Sequence, residues 1–283
     1  MHRRVILAFL VLGAALAEEP RQIILRSLDG YERDLEARKN YTFLVRNEQR
    51  RLDGQGRLKS VRSETHEVLI LYGASYRRLV ARNDQPLSAE EEREEQRKLD
   101  RELERRKKAA VKDPRKLARE DERTLEEHRR LMREIADAYD FTIVGEEPVA
   151  GHPAWVIDAA PRPGFRPRTD RGRILPAFRG RLWITKEDYR WAKVEAEAIR
   201  TVSFGWILAR LQPGSQLAFE QQRLEDELWM PAAARLRILA RLALVKKYDM
   251  EVEVTFSDYR RFQSDSRIVD VSPLGAGSER SEP

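Results

Sequence analysis

The sequence predicts an α+β fold: one curved antiparallel sheet covered by helices, with residues 88–138 inserted as a charged helical hairpin. Three observations predict it. Apolar and polar side chains alternate with a period of two over most of 41–87 and again from 141 to 261, the pattern of strands with one buried face. Between these blocks the alternation stops, and 32 of the 51 residues from 88 to 138 are charged, 16 acidic and 16 basic. Short polar or glycine-containing connections, such as LDGQGR at 52–57 and KEDY at 186–189, suit hairpins.

The first residues, MHRRVILAFLVLGAALA, place Arg3 and Arg4 before an apolar run and end on Ala15-Leu16-Ala17, the pattern of a cleaved secretory signal. The run is shorter than the roughly 20 residues a membrane span requires, and no later segment is long and apolar enough to cross a bilayer. Residues 1–17 are therefore read as a signal peptide, 18–263 as one domain and 264–283 as a disordered tail, giving an exported, soluble, periplasmic protein. The chain has no cysteine, so disulfides contribute nothing, and the core of about 265 mature residues must supply the stability. The formal charge of +6 falls to +4 once Arg3 and Arg4 leave, too slight an excess for a nucleic-acid partner.

In chain order, Pro20 opens an amphipathic helix whose apolar stripe is Ile24, Leu28, Tyr31 and Leu35. Strands follow at 41–52, 58–72 and 75–81. In the insertion, Ser88 with Glu91 has the spacing of a capping box, and Asp113-Pro114 marks a second helix start. The first helix offers little to bury beyond Leu99 and Leu103, whereas the second carries Leu117, Leu125, Leu131, Met132 and Ile135, enough to lie along something apolar, and the pair is expected to project as a helical hairpin. A hairpin around VAGHP at 149–153 returns through Trp155, Ile157 and Ala159. The stretch 161–180 holds four prolines, three glycines and six arginines, and is read as a long, basic, irregular loop. Strands then run from 179 through Leu182 and Ile184, back through Val194, Ala196 and Ala198, and on to 216–224. In the last two strands Leu236, Ile238, Ala240, Leu242 and Leu244 share one face, as do Met250, Val252, Val254 and Phe256.

Chemistry-bearing motifs are scarce. No G-x-S-x-G, H-E-x-x-H, P-loop or dinucleotide glycine pattern occurs, and His66, His128 and His152 stand apart, so neither a catalytic site, a metal site nor a cofactor is expected. The acidic pairs Glu146-Glu147 and Asp226-Glu227 read as solvated surface. The five tryptophans fall in or beside the sheet, where they either fill a core or line a cavity for an apolar ligand.

Several phrases in this pattern carry a resemblance. GRLWITKEDYRWAKVEAE, DELWMP and VEVTFSDYRRF, behind a signal peptide and an N-terminal helix, resemble the LolA/LolB superfamily of bacterial outer-membrane lipoprotein carriers. The matching positions are Gly180, Leu182, Trp183 and Ile184, then Lys193, Val194 and Glu195, then Trp229 and Pro231, then Asp258 and Tyr259. The resemblance implies an incomplete β-barrel covered by helices and enclosing a cavity for acyl chains. Its wall would be formed by Leu182, Ile184, Val194, Leu236, Ile238, Leu242, Leu244, Val252, Val254 and Phe256. The implied partner is a lipid or an acylated protein, held without covalent chemistry. The insertion 88–138 departs from the superfamily's pattern and offers a surface for an envelope protein, as would suit a regulatory interaction module.

Overall fold

The computed structural model describes residues 18–113, 116–204, 209–224, 228–242 and 246–261. The signal segment, the tail, Trp206, Asp226, Glu227 and Leu244 lie outside the described residues, as do the side chains of Leu117 and Leu242. Helix α1 spans Pro20–Ala37, and Ile23, Ile24 and Leu28 on its inner face are 0%, 0% and 4% exposed. A 3-10 turn, Arg38–Asn40, leads into β1 (Tyr41–Leu52), followed by β2 (Leu58–Leu71), β3 (Ala74–Arg82) and the short β4 (Gln85–Pro86). The β1–β2 turn is organised by Asp53, whose carboxylate accepts the N–H groups of Gln55 and Arg57, both at 2.9 Å. At the β2–β3 turn, Tyr72 and Gly73 both have positive φ, 52° and 82°, as a two-residue turn matched to strand twist requires.

Helix α2 (Ala89–Lys112) begins with the expected capping box, and α3 (Lys116–Ala138) returns to β5 (Tyr139–Val149). The hairpin does not project: α3 lies along the core as its apolar residues predict, and α2, expected to bury little, is docked as well. Leu99 of α2, 1% exposed, packs on Leu69 and Leu71 of β2 beside Tyr76 and Leu103. Arg106, also buried, donates to the carbonyl oxygens of Leu71 (2.9 Å), Ala74 (2.6 Å) and Ser75 (3.1 Å), satisfying turn carbonyls that α2 covers. Met132 and Ala136 of α3 join the α1 core cluster. The charged pattern conceals this anchoring because it rests on an arginine as much as on a leucine.

The remaining strands are β6 (His152–Pro161), β7 (Phe178–Thr185), β8 (Trp191–Ala198), β9 (Val202–Phe204), β10 (Ala209–Leu211), β11 (Gln216–Arg223), β12 (Trp229–Leu242) and β13 (Lys246–Arg261). All ladders are antiparallel, in the order β4-β3-β2-β1-β13-β12-β11-β8-β7-β6-β5, with β10 and β9 hanging from β12. The sheet is open: β3 and β4 lie at one edge and β5 at the other, an incomplete barrel in an α+β fold. Helix α2 packs near β3 and α3 near β5, so the insertion reaches strands toward both ends of the sheet.

Register assigns every side chain to one of two faces. Across one face, Leu182 stands opposite Val194, Val194 opposite Phe219, Phe219 opposite Ala234, and Ala234 opposite Val254. Across the other, Arg181 stands opposite Glu195, Glu195 opposite Ala218, Ala218 opposite Arg235, Arg235 opposite Glu253, and Glu253 opposite Glu48. Helices α1 and α3 cover the apolar face over β5 to β8. The charged face is not uniformly polar, since Trp183 is 4% exposed in a small cluster with Ala154 and Val156.

The stretch 161–180 is more ordered than its composition suggests. Residues Arg171–Ala177 form a 3-10 turn, and buried Glu134 of α3 accepts the Arg168 N–H and the Thr169 hydroxyl, each at 2.5 Å. Gly172 lies against that carboxylate, where a Cβ would collide with it. The Tyr139 hydroxyl donates to the Leu175 carbonyl at 2.8 Å. The loop's positive charge is largely compensated in place. Arg162 pairs with Asp140, Arg168 with Asp137, Arg173 with Asp170 and Arg179 with Glu197, so the basic run does not become a basic surface.

Candidate functional site

Two surfaces of the sheet are candidates, one on each face. On the helix-covered face, side chains are buried over β6 and β7, partly exposed over β11 to β13, and buried again at Val45 of β1. Ile157, Leu182 and Ile184 are 0%, 4% and 0% exposed, packed solidly against Ile23, Ile24 and Met132. Val194 is partly exposed and rests on the same cluster. Further along the same face, Leu217 and Phe219 of β11, Leu236 and Ile238 of β12, and Met250, Val252, Val254 and Phe256 of β13 are all partly exposed. Leu236 faces Leu217 on one side and Val252 on the other, and Ile238 faces Met250. The strip is bounded at β1 by Asn47 and Gln49, opposite Val254 and Val252. Along β13, Met250 to Phe256 covers about 20 Å at the usual strand rise.

The expected wall residues therefore fall into two groups on one face. Leu182, Ile184 and Val194 belong to the core beneath α1, while Leu236, Ile238, Val252, Val254 and Phe256 form the strip beyond it. The backbone of Leu242 pairs with Lys246 at the end of β12. Leu217 and Phe219 bridge the two groups; they alternate correctly in QLAFE and were open to the same periodicity argument as their neighbours.

Helix α1 is held beside this strip by a buried polar network that no sequence pattern announces. Arg190, in the β7–β8 turn, lies 2.9 Å from the Asp34 carboxylate of α1, and the two side chains are only 12% and 7% exposed. Gly30 of α1 is required there, because a Cβ would strike the Arg190 guanidinium. Burial raises the Asp34 pKa above its ordinary value, even with Arg190 and Arg38 opposing. Arg38 donates to the Gln221 side chain at 2.5 Å and to the Trp229 carbonyl at 2.8 Å, and Gln221 donates to the Trp191 carbonyl at 2.6 Å. Trp229 donates its indole N–H to Asp188 at 2.8 Å, and Trp191 donates to Ser27 of α1 at 2.5 Å. The β7–β8 turn is thus the fastening point of α1. Tyr189, with a φ of 55°, completes it by donating to Glu18 at 3.0 Å.

His128 of α3 joins the same region, its Nε2 2.7 Å from the Tyr31 hydroxyl and its ring stacked on Tyr31. Burial, with Arg171 and Arg38 nearby, depresses its pKa below the ordinary 6.5. The unfolded chain then takes up the proton first as pH falls, so this contribution is complete above pH 6.5 and is lost from there down to the depressed folded-state pKa. The expected result is a urea midpoint that falls more steeply between pH 7.5 and 5 for the native chain than for His128→Gln. Equal slopes would contradict the assignment.

On the charged face the sheet curls around a trough of about 970 Å³ lined by β6, β7, β8, β11, β12, β13 and β1. Its floor is β11, with the small Ala218 and the neutral Gln216. Arg235 and Arg237 of β12 flank the floor on one side, Glu195 and Glu197 of β8 on the other. Beyond them come Glu251 and Glu253 on β13 and Arg179 and Arg181 on β7. Ion pairs connect neighbouring columns: Arg179–Glu197 at 2.6 Å, Arg181–Asp158 at 2.5 Å and Arg235–Glu253 at 3.4 Å. Of the acidic pair at the β5 edge, Glu147 accepts the Trp183 N–H and Glu146 pairs with Lys186. Among the described residues no cluster of His, Asp or Glu is arranged to hold a metal ion, and no helix is long and apolar enough to cross a membrane.

No protein-family model matches this sequence, and no curated protein matches it. Among solved structures the chain is similar to a DUF1329 family protein from Desulfovibrio piger, at 12% identity and a TM-score of 0.36, over 88% of this chain and 96% of that one. It is also similar to a LolA superfamily protein from Nitrosomonas europaea, at 10% identity and a TM-score of 0.28, over 87% and 95%. A third likeness is to the MucA/MucB complex of Pseudomonas aeruginosa, at 13% identity and a TM-score of 0.23, over 87% and 100%.

Proposed function

We propose that this is a non-catalytic binding protein of the bacterial periplasm that holds an acyl chain, of a lipid or an acylated protein, on the apolar strip of β11 to β13 beside α1. The observation that carries the reading is the difference in burial along one sheet face. The same face that is sealed at Ile157, Leu182 and Ile184 is left partly exposed at Leu217, Leu236, Val252 and Val254. Contiguous apolar patches on a protein surface commonly mark ligand or partner sites. A strip of apolar side chains without converging polar groups suits a hydrocarbon chain better than a polar metabolite.

The test is a charge placed in the strip. Leu236→Asp is expected to fold, at a cost of about 1 to 2 kcal/mol, because a partly exposed carboxylate stays hydrated. It should weaken binding of a fluorescent fatty acid at least about tenfold, or roughly 1.4 kcal/mol. Unchanged affinity would exclude the strip as the seat. The regulatory alternative acting through 88–138 is not tested cleanly by deletion, because α2 covers Leu69 and Leu71 and α3 supplies Met132 and Ala136 to the core beneath α1.

A further inference from the structure

We propose that the charged trough is a second binding site, for an extended polypeptide segment whose side chains alternate in charge along the chain. The site is built from columns of like charge. Arg235 and Arg237 form one bank, Glu195 and Glu197 the other, with β11 between them. Two strand spacings separate the banks, about 10 Å, and the side chains within a bank are two residues apart, about 7 Å. An extended peptide lying along β11 projects successive side chains to opposite sides with the same 7 Å repeat. A segment with acids at one parity and bases at the other would meet both banks at once. Ala218 leaves the floor low enough for a backbone to lie there, and the volume of about 970 Å³ is of ligand-binding size.

The arginine bank is available for exchange, whereas Glu197 of the acidic bank is held by Arg179 at 2.6 Å. The side chains of Arg235 and Arg237 are 57% and 48% exposed, and their contacts with Glu220, Glu253 and Asp249 span 3.2 to 3.6 Å. Exposed pairs of this kind hold weakly, so ligand groups can replace them. Glu195, held by Lys193 at 2.7 Å, is half exposed as well. This site faces away from the apolar strip and does not depend on the acyl-binding reading.

Calorimetric titration of the mature chain at low salt tests the proposal with two capped ten-residue peptides of equal composition. One alternates Glu and Lys singly; the other alternates them in pairs, which mixes the charges on both sides of the extended strand. The singly alternating peptide is expected to bind at least about tenfold more tightly. In Arg235→Glu/Arg237→Glu, which alters only exposed side chains and leaves both banks acidic, that preference should vanish and oligolysine should bind more tightly than to the native chain. Equal affinity for the two peptides, no binding of either, or an unchanged preference in the double variant would each overturn the proposal. Fatty-acid binding by the same variant should be unaltered, which separates failure here from failure of the apolar site.

Discussion

Arg190→Ala is expected to destabilise the protein by about 3 to 5 kcal/mol, the usual result of removing one partner from a buried ion pair. The loss arises from Asp34, left on α1 with an ionised carboxylate in a site that already raises its pKa by burial. Asp34→Ala should cost a similar amount by stranding Arg190. The double variant Asp34→Leu/Arg190→Met, which replaces the pair with apolar volume, should cost far less than the sum of the single changes. Urea unfolding of the three variants measures this. Additive losses would mean that the two side chains are not coupled and that α1 is not fastened through this pair.

Trp229→Ala is expected to be equally damaging, at about 3 to 5 kcal/mol, because the side chain is 0% exposed and no neighbour can fill its volume. Its ring packs edge-on to His152, 5.3 Å between centroids, and its N–H donates to Asp188 in the turn that fastens α1. Trp229→Phe separates the two contributions. It keeps most of the packing and loses the donor, so it should cost about 1 to 3 kcal/mol. A Phe variant as unstable as the Ala variant would place the whole effect on the hydrogen bond.

Much of this architecture was legible in the sequence because strand periodicity is local. Leu182 and Val194, or Leu236 and Val252, fall on one face by counting in twos, and the register places each pair opposite one another. The capping box at Ser88 and Glu91 was legible for the same reason. What was not legible depends on contacts between distant segments. Arg190 meets Asp34 and Gly30 across more than 150 residues, and nothing in either segment signals the other. The docking of α2 was hidden because Arg106, a residue normally read as solvated, is buried against three carbonyls. The six arginines of 161–180 mark a basic loop, but Asp137, Asp140 and Glu197, all from other elements, pair with three of them. Counting in twos puts Arg235, Arg237, Glu195 and Glu197 on the face opposite Leu236 and Val194, but alternation gives no curvature, so a concave charged face cannot be told from a flat one.

The central claim is that the partly exposed strip of β11 to β13 carries an acyl chain in the native protein. Native mass spectrometry of the chain isolated from its native source, followed by organic extraction, tests it most directly. The expected result is a bound species in the mass range of a lipid or fatty acid, present on the native chain and absent from Leu236→Asp purified in parallel. An empty native protein, or the same species retained by both chains, would contradict it.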